Sequence, residues 1–349
     1  MSDTRQHDGS RRTNGTDARP RILIVAPGII ATFIEQDRCI LSQDFDVTLL
    51  GYRGWRDLLT LNREIRRAEL VLIWFLGRHS LPAVLMARAR HIPVVPVIGG
   101  FEVAWIPSAG YGIKPGSLKE RASGLLLRQA ARILTVSEFT TCAAVDRYPG
   151  VSGKIDLVPN AVDTARFIFG GASDRRGVLH VGRYGSQAIG VKGAMLNEVA
   201  TALTGVEIKL VGPVVDEEGR RFVQSMPNNV KWLGELHGDA LVEAYQCASV
   251  YFTGSLHESF SLALAEAMSC GCIPVVAPSG ALPEVVADTG IVLSDRTVAC
   301  AIEGIRQAMT WGAERREAAR RRIVEHYDLE RRRRSLVRLV NELLRTRSA

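Results

Sequence analysis

Lysine is scarce in this chain: only six of its 44 basic residues are lysine, and 38 are arginine. Aromatic residues are few as well, at 6% of the sequence, so there is no basic face with interleaved aromatics of the kind that holds nucleic acid. The net charge of +7 has a local source. From Trp311 to the end twelve Arg stand against six Asp or Glu, which gives +6 and leaves the rest of the chain near neutral. That basic C-terminal helix reads mainly as a solvated face, with a weak peripheral contact to anionic lipid as the second reading. Long apolar runs are missing too. The longest, residues 22–34, is broken by Pro27 and Gly28 and falls short of the ~18 residues a membrane span needs. Six cysteines, at 39, 142, 247, 270, 272 and 300, form neither a disulfide framework nor a zinc pattern. Cys270 and Cys272 have a single residue between them and no histidine at ligand spacing, so they read as small packing residues. Reduced thiols and the lack of an apolar leader point to a cytoplasmic chain, at most peripheral at the inner membrane face.

What is present is a long alternation of apolar runs with helical segments. Residues 1–19 are polar and read as a disordered tail. Six β-rich runs follow, at 22–26, 45–50, 70–76, 93–98, 132–136 and 155–159, several of them apolar at every position, as strands covered on both faces are. The pattern restarts at 176–183, where "RGVLHVGR" echoes "RILIVAPG", and five more runs follow at 206–212, 230–234, 249–253, 273–277 and 290–293. Two sets of six βα units predict an α/β protein of two doubly wound, Rossmann-like domains facing a cleft. Their bounds are expected at 20–165 and 166–325, with the link near 160–174. A last helix, 326–349, carries an apolar stripe of Leu329, Leu336, Val340 and Leu343 and is expected to pack back toward the first domain.

Two stretches carry chemistry. "VGRYGSQAIGVKG", 181–193, follows a strand and holds Gly182, Arg183, Gly185, Gly190, Lys192 and Gly193. It nearly spells a nucleotide-triphosphatase P-loop. Val191, however, separates the second glycine from Lys192, and Gly193 stands where the metal-binding hydroxyl belongs. A glycine-rich turn with an Arg and a Lys remains, which suits a diphosphate held by fixed cations. The second stretch, "HESFSLALAE", is a loop leading into a helix that Ser259 or Ser261 could cap. It places Glu258 at the strand-to-helix turn and Glu266 about two turns along the helix. The helix start offers free amides and a positive dipole to an anion. His79 and His257 read as structural hydrogen-bonders rather than bases. The lone Asp-x-Asp, at 44–46, reads as turn chemistry rather than a metal site.

At this point the residues resemble a known family. "ESFSLALAEAMSCGCIPVVAPSGALPEVV" resembles the signature of GT-B glycosyltransferases of the retaining GT4 type (glycosyltransferase group 1). "VGRYGSQAIGVKG" is similar to that family's phosphate loop, and "VSEFT" and "VPNAVD" to two of its usual passages. The resemblance covers roughly 130–345 and, more weakly, the first domain. It implies that Arg183 and Lys192, with Gly182, bind the donor diphosphate. Glu258 would hold a hydroxyl of the transferred sugar, helped by the backbone of Ser259, Phe260 and Ser261, and Glu266 would bind the ribose hydroxyls. Gly28 would let backbone approach the ligand from the first domain. On the acceptor side stand Gly99, Gly100 and Glu102. Gly99 occupies a position where a histidine commonly contacts the sugar, which leaves Glu102 as a substitute polar group. The gap between Arg183 and Lys192 is longer than usual and suggests a lid.

The resemblance implies a metal-independent, retaining glycosyltransferase with no cofactor. Its donor would be a nucleotide-diphosphate sugar, with UDP- or GDP-sugars ahead of ADP- or dTDP-sugars. The residues answer the charge that such a reaction develops on its leaving diphosphate. Two rival expectations are a nucleotide-sugar epimerase or phosphorylase on the same fold, and an inactive nucleotide-sugar-binding protein. Turnover without an acceptor distinguishes the first, and binding without turnover the second.

Overall fold

Where every residue of a run is apolar, the strand has to be covered on both faces, and the runs at 22–26, 70–76 and 93–98 in the first sheet are of that kind. The computed structural model describes residues 19–170, 174–193 and 195–348. The expected polar tail, apart from Arg19, and residues 171–173 of the expected link lie outside them. In chain order the first half supplies β1 (Arg21–Pro27), β2 (Asp46–Tyr52), β3 (Leu70–Trp74), β4 (Val94–Ile98), β5 (Trp105–Ile106), β6 (Tyr111–Gly112), β7 (Ile133–Thr135) and β8 (Ile155–Leu157). Six of these make a parallel sheet in the order β2-β1-β3-β4-β7-β8. The short antiparallel pair β5–β6 stands apart and has no counterpart in the sequence reading. The second half supplies β9 (Val178–Val181), β10 (Ile208–Val211), β11 (Val230–Trp232), β12 (Val250–Thr253), β13 (Ile273–Val276) and β14 (Ile291–Val292), a second parallel sheet ordered β11-β10-β9-β12-β13-β14. The two expected sets of six are both present, with most strands a residue or two shorter than their apolar runs.

Both sheets reverse strand order beside their first strand, between β1 and β3 and between β9 and β12. Loops diverge at such a reversal and leave a crevice beyond the carboxyl ends of the strands. The segments after β3, β9 and β12 all reach the cavity described below.

The C-terminal helix, Leu329–Ser348, does return to the first domain, packing on the helix Thr32–Leu41 and on β3, with Leu336 and Val340 fully buried. Arg331, Arg334, Arg338, Arg345 and Arg347 are exposed, as a mainly solvated face requires, and Arg332 and Arg333 are the departures from it. Arg332 is 4% exposed. It donates to both carboxylate oxygens of Asp37, at 2.6 and 2.8 Å, and to the carbonyls of Val158 and Pro159, at 2.7 Å each. Trp74 donates its indole N–H to the same Asp37 at 3.0 Å. Nearby, Arg333 pairs with Asp44 at 2.5 Å, and on the preceding helix Arg320 reaches the carbonyls of Phe167 and Ser269. The two strands of chain that cross between the domains meet where Val162 donates to Tyr327 and Leu329 donates to Val162. Arginine serves here because its planar fork satisfies several carbonyls and a carboxylate at once, which a lysine cannot do.

Candidate functional site

Between the two sheets lies a cavity of about 460 Å³, within the range of small-molecule sites. The first domain lines it with Phe33, Trp74, Phe75, Gly99 and Tyr111. The second domain contributes the loop through Gly182, Arg183 and Lys192, residues 211–213, then Glu235, Leu236 and Leu241, and last residues 257–263.

The loop after β12 is held by its own hydroxyls. The Thr253 and Ser255 hydroxyls are bonded at 2.8 Å, Ser255 donates to Oε1 of Glu258 at 3.2 Å, and Ser279 donates to the Ser255 carbonyl. Ala281 donates to the Glu258 carbonyl at 2.8 Å. Gly280 lies so close beneath that a Cβ there would come within 2.2 Å of the same carbonyl oxygen. Only glycine fits at that contact, and its φ of +58° suits glycine for a second reason. Ser261 sits at the start of the helix Leu262–Ser269 with φ of +74° and makes no side-chain cap. The expected serine cap is therefore absent. The left-handed conformation is one that a non-glycine residue enters at a cost of about 1–2 kcal/mol.

The stretch between Arg183 and Lys192, expected as a lid, is instead wound. Ser186–Ala188 form a short α-turn that runs into a π-helical turn, Ile189–Gly193. Asp216 accepts from both the amide and the hydroxyl of Ser186, Tyr184 is buried beneath, and Leu256 donates to the Val191 carbonyl at 2.7 Å. These bonds fix Lys192 over Glu258. Its Nζ lies 3.0 Å from Oε1 and 3.1 Å from Oε2. Arg183 is exposed at the cavity wall and joins no ion pair among the described residues.

The cavity therefore brings together Gly182, Arg183, Lys192, Glu258, Ser259, Phe260, Ser261 and Gly99. Four other candidates fall elsewhere. Gly28 packs against Arg53, whose Cγ would lie 2.7 Å from an added Cβ. Gly100 abuts Ser259 across the domain boundary. Glu102 is fully buried and accepts from the amides of Leu76 at 2.8 Å and Gly100 at 3.1 Å. Burial pushes its pKa up to about 7, against the pull of those amides. Glu102 ties two first-domain loops together and is not a polar group offered to a ligand. Glu266 lies one turn past Ala263, the last residue of its helix to line the cavity, and accepts from the Tyr245 hydroxyl at 2.9 Å. Burial raises its pKa to about 7 as well, with the Tyr245 bond opposing.

Gly99 has a steric reason. A Cβ there would fall 2.1 Å from Cε1 of Phe75, so the phenyl ring already fills the space a longer side chain would need. Sequence reasoning missed two polar atoms. His257 Nε2 and Asn160 Oδ1 are both buried, both belong to residues that line the cavity, and neither has a hydrogen-bond partner among the described residues. His257 packs between the rings of Tyr111 and Phe139. Burial lowers its pKa; Glu258 opposes that shift and Lys192 adds to it, so the ring is neutral at neutral pH. Its place beside Glu258 in the quoted stretch was the available signal. His79, by contrast, is a buried structural group whose Nε2 meets the Trp74 carbonyl at 2.8 Å.

Residues 175–310 match the family model described as glycosyl transferases group 1. The family resemblance read from the sequence is thereby borne out for the domain that carries Arg183, Lys192 and Glu258. A phosphatidyl-myo-inositol mannosyltransferase of Mycolicibacterium smegmatis is 31% identical over 139 residues, which is 38% of this chain and 36% of that protein. The chain thus spans about a third of the length of the curated relatives it matches. Among solved structures, a glycosyltransferase from Rickettsia africae aligns over 93% of this chain and 99% of its own with a TM-score of 0.74 at 13% identity. Anabaena HepE, in complex with UDP and glucose, aligns over 93% of this chain and all of its own with a TM-score of 0.72 at 14% identity. At such identities the likeness is one of fold, and the fold is GT-B: the group 1 domain is the second of its two halves.

Proposed function

We propose that the protein transfers a sugar from a nucleotide-diphosphate sugar to an acceptor hydroxyl, with retention of configuration and without a metal ion. The observation that carries this reading is the Lys192–Glu258 pair on the wall of the cavity between the domains, with Arg183 beside it. Cleavage of the glycosidic bond puts negative charge on the departing diphosphate. Arg183, Lys192 and the start of the helix Leu262–Ser269 offer fixed positive potential where that charge would grow, which stabilises the transition state with little reorganisation. Two cations in place of a metal ion suit a metal-independent route. Glu258, held by Lys192, would accept a hydroxyl of the transferred sugar and orient the ring. In a front-face route the acceptor oxygen forms the new bond to the anomeric carbon on the side the diphosphate leaves. The departing phosphate oxygen takes the acceptor proton, so the protein supplies positioning and charge rather than a nucleophile. The group 1 match and the UDP and glucose held by HepE support a nucleotide sugar, with UDP as the first donor to try.

The test is a thermal-shift screen against UDP-, GDP-, ADP- and dTDP-sugars in the presence of EDTA. Binding to the folded state raises Tm, so a shift with a UDP- or GDP-sugar supports the reading. No shift with any of the four contradicts it.

A further inference from the structure

Apolar side chains exposed singly on a surface are ordinary, but here the most exposed ones share one edge of the first domain. The four most exposed large apolar residues are Leu59 at 83%, Leu118 at 82%, Ile29 at 81% and Trp55 at 76%. Ile29 lies in the loop after β1, and Trp55 and Leu59 follow β2. Leu118 opens the helix Leu118–Gln129. Exposed Leu81 and Leu85 lie one turn apart on the helix Ser80–Arg88, which packs between Leu58–Arg67 and Leu118–Gln129. In a parallel sheet the loops that leave the strands and the starts of the helices that follow stand at the same edge. These six side chains therefore form a rim on the edge that also faces the cleft.

The fully exposed charges on that rim are basic. Arg53, Arg56, Arg78, Lys114, Lys119 and Arg121 are all exposed, and none is in an ion pair among the described residues. The two acidic residues among them are engaged: Asp57 accepts from the amides of Arg53 and Gly54, and Glu120 from the amide of Gly116 and the side chain of Arg147. Two of the chain's six lysines fall here. The rim also leads inward. A second cavity, of about 500 Å³, runs from Arg53 and Arg78 past Leu76 and Phe101 to Phe75 and Tyr111, which also line the first cavity.

We infer that this rim docks on the surface of an anionic lipid bilayer and sets the mouth of the second cavity against it. Trp and aliphatic tips suit the headgroup boundary, and unpaired Arg and Lys suit anionic headgroups. A polyanion without an apolar phase would leave the leucines and Ile29 unused. The docking stands on the rim alone. That the second cavity then receives an acceptor held at the membrane rests on the transferase reading. The surface differs from the C-terminal helix considered from the sequence, whose apolar stripe and central arginine are taken up inside the fold.

The full chain is to be sedimented with vesicles of phosphatidylcholine alone and of phosphatidylcholine mixed with phosphatidylglycerol, and with UDP-glucose binding followed in parallel. The expected result is partitioning onto the anionic vesicles only. It should weaken by about tenfold in Trp55→Ala/Leu59→Ser and in Arg56→Glu/Lys119→Glu, with the Tm of each variant and its shift with UDP-glucose unchanged. Absence of binding to anionic vesicles overturns the inference, as does equal binding by wild type and both variants. Vesicle binding without any UDP-glucose shift leaves the docking surface standing and counts against the transferase reading instead.

Discussion

Lys192 straddles the carboxylate of Glu258, its Nζ 3.0 Å from one oxygen and 3.1 Å from the other, although the two residues are 66 positions apart in sequence. Two loops at the strand reversal of the second sheet are thus joined before any ligand arrives. A lysine so placed holds Glu258 in one orientation and keeps two further N–H donors to offer a diphosphate. Lys192→Ala should lower kcat for glycosyl transfer by ~10²–10³-fold, the usual cost of removing one preorganised electrostatic donor. Steady-state kinetics with a UDP-sugar check this, and a change confined to KM would show that Lys192 binds donor without stabilising the departing charge.

His257 is expected to hydrogen-bond a hydroxyl of the sugar or the acceptor, since it lines the cavity and its buried Nε2 has no partner among the described residues. Removing it leaves a ligand hydroxyl unsatisfied, at about 1–3 kcal/mol. His257→Ala should therefore reduce kcat/KM by roughly 5- to 150-fold, and His257→Asn should recover part of the loss. Equal Tm but unaltered kinetics in both variants would return His257 to a packing role.

Stability should depend on pH through Glu266, which faces Tyr245 rather than the cavity. Burial raises its pKa to about 7, above the ordinary 4.5, so the folded protein keeps a proton there that the unfolded chain has lost. Stability should therefore fall as pH rises from ~5 to ~7. The urea midpoint across that range checks the sign, and the fall should be smaller in Glu266→Gln.

Arg332 and Asp37 form a buried pair that joins the C-terminal helix to the first domain. Breaking it from one side strands a charge. Arg332→Ala should destabilise the protein by about 3–5 kcal/mol, read as a fall in the urea midpoint.

How much of this was legible in the sequence differs from residue to residue. The runs at 22–26 and 70–76 announce covered strands because nothing polar interrupts them, and the restart at 176–183 announces a second sheet. Glu258 and Lys192 could be picked out by residue type and spacing, but their pairing depends on the bond from Leu256 to Val191, which no local pattern encodes. Arg332 looked like any other in a run of four arginines. Only the packing of its helix on Thr32–Leu41 decides that it, rather than Arg331 or Arg334, is buried against Asp37. Glu102 looked available because Gly99 stands where a histidine commonly contacts the sugar and Glu102 is the polar group nearby. Its burial comes from the fold of the loops after β3 and β4, whose amides it binds. Gly99 was noted as a missing histidine. The reason for it, the ring of Phe75, is 24 residues away in sequence and becomes visible only when β3 and β4 lie side by side.

The most direct test of the account is transfer by Glu258→Ala with a UDP-sugar, measured beside its circular dichroism and Tm. The account predicts a folded protein with transfer reduced to background, because the sugar has lost its orienting carboxylate and Lys192 its partner. Wild-type transfer by a folded Glu258→Ala protein would contradict it.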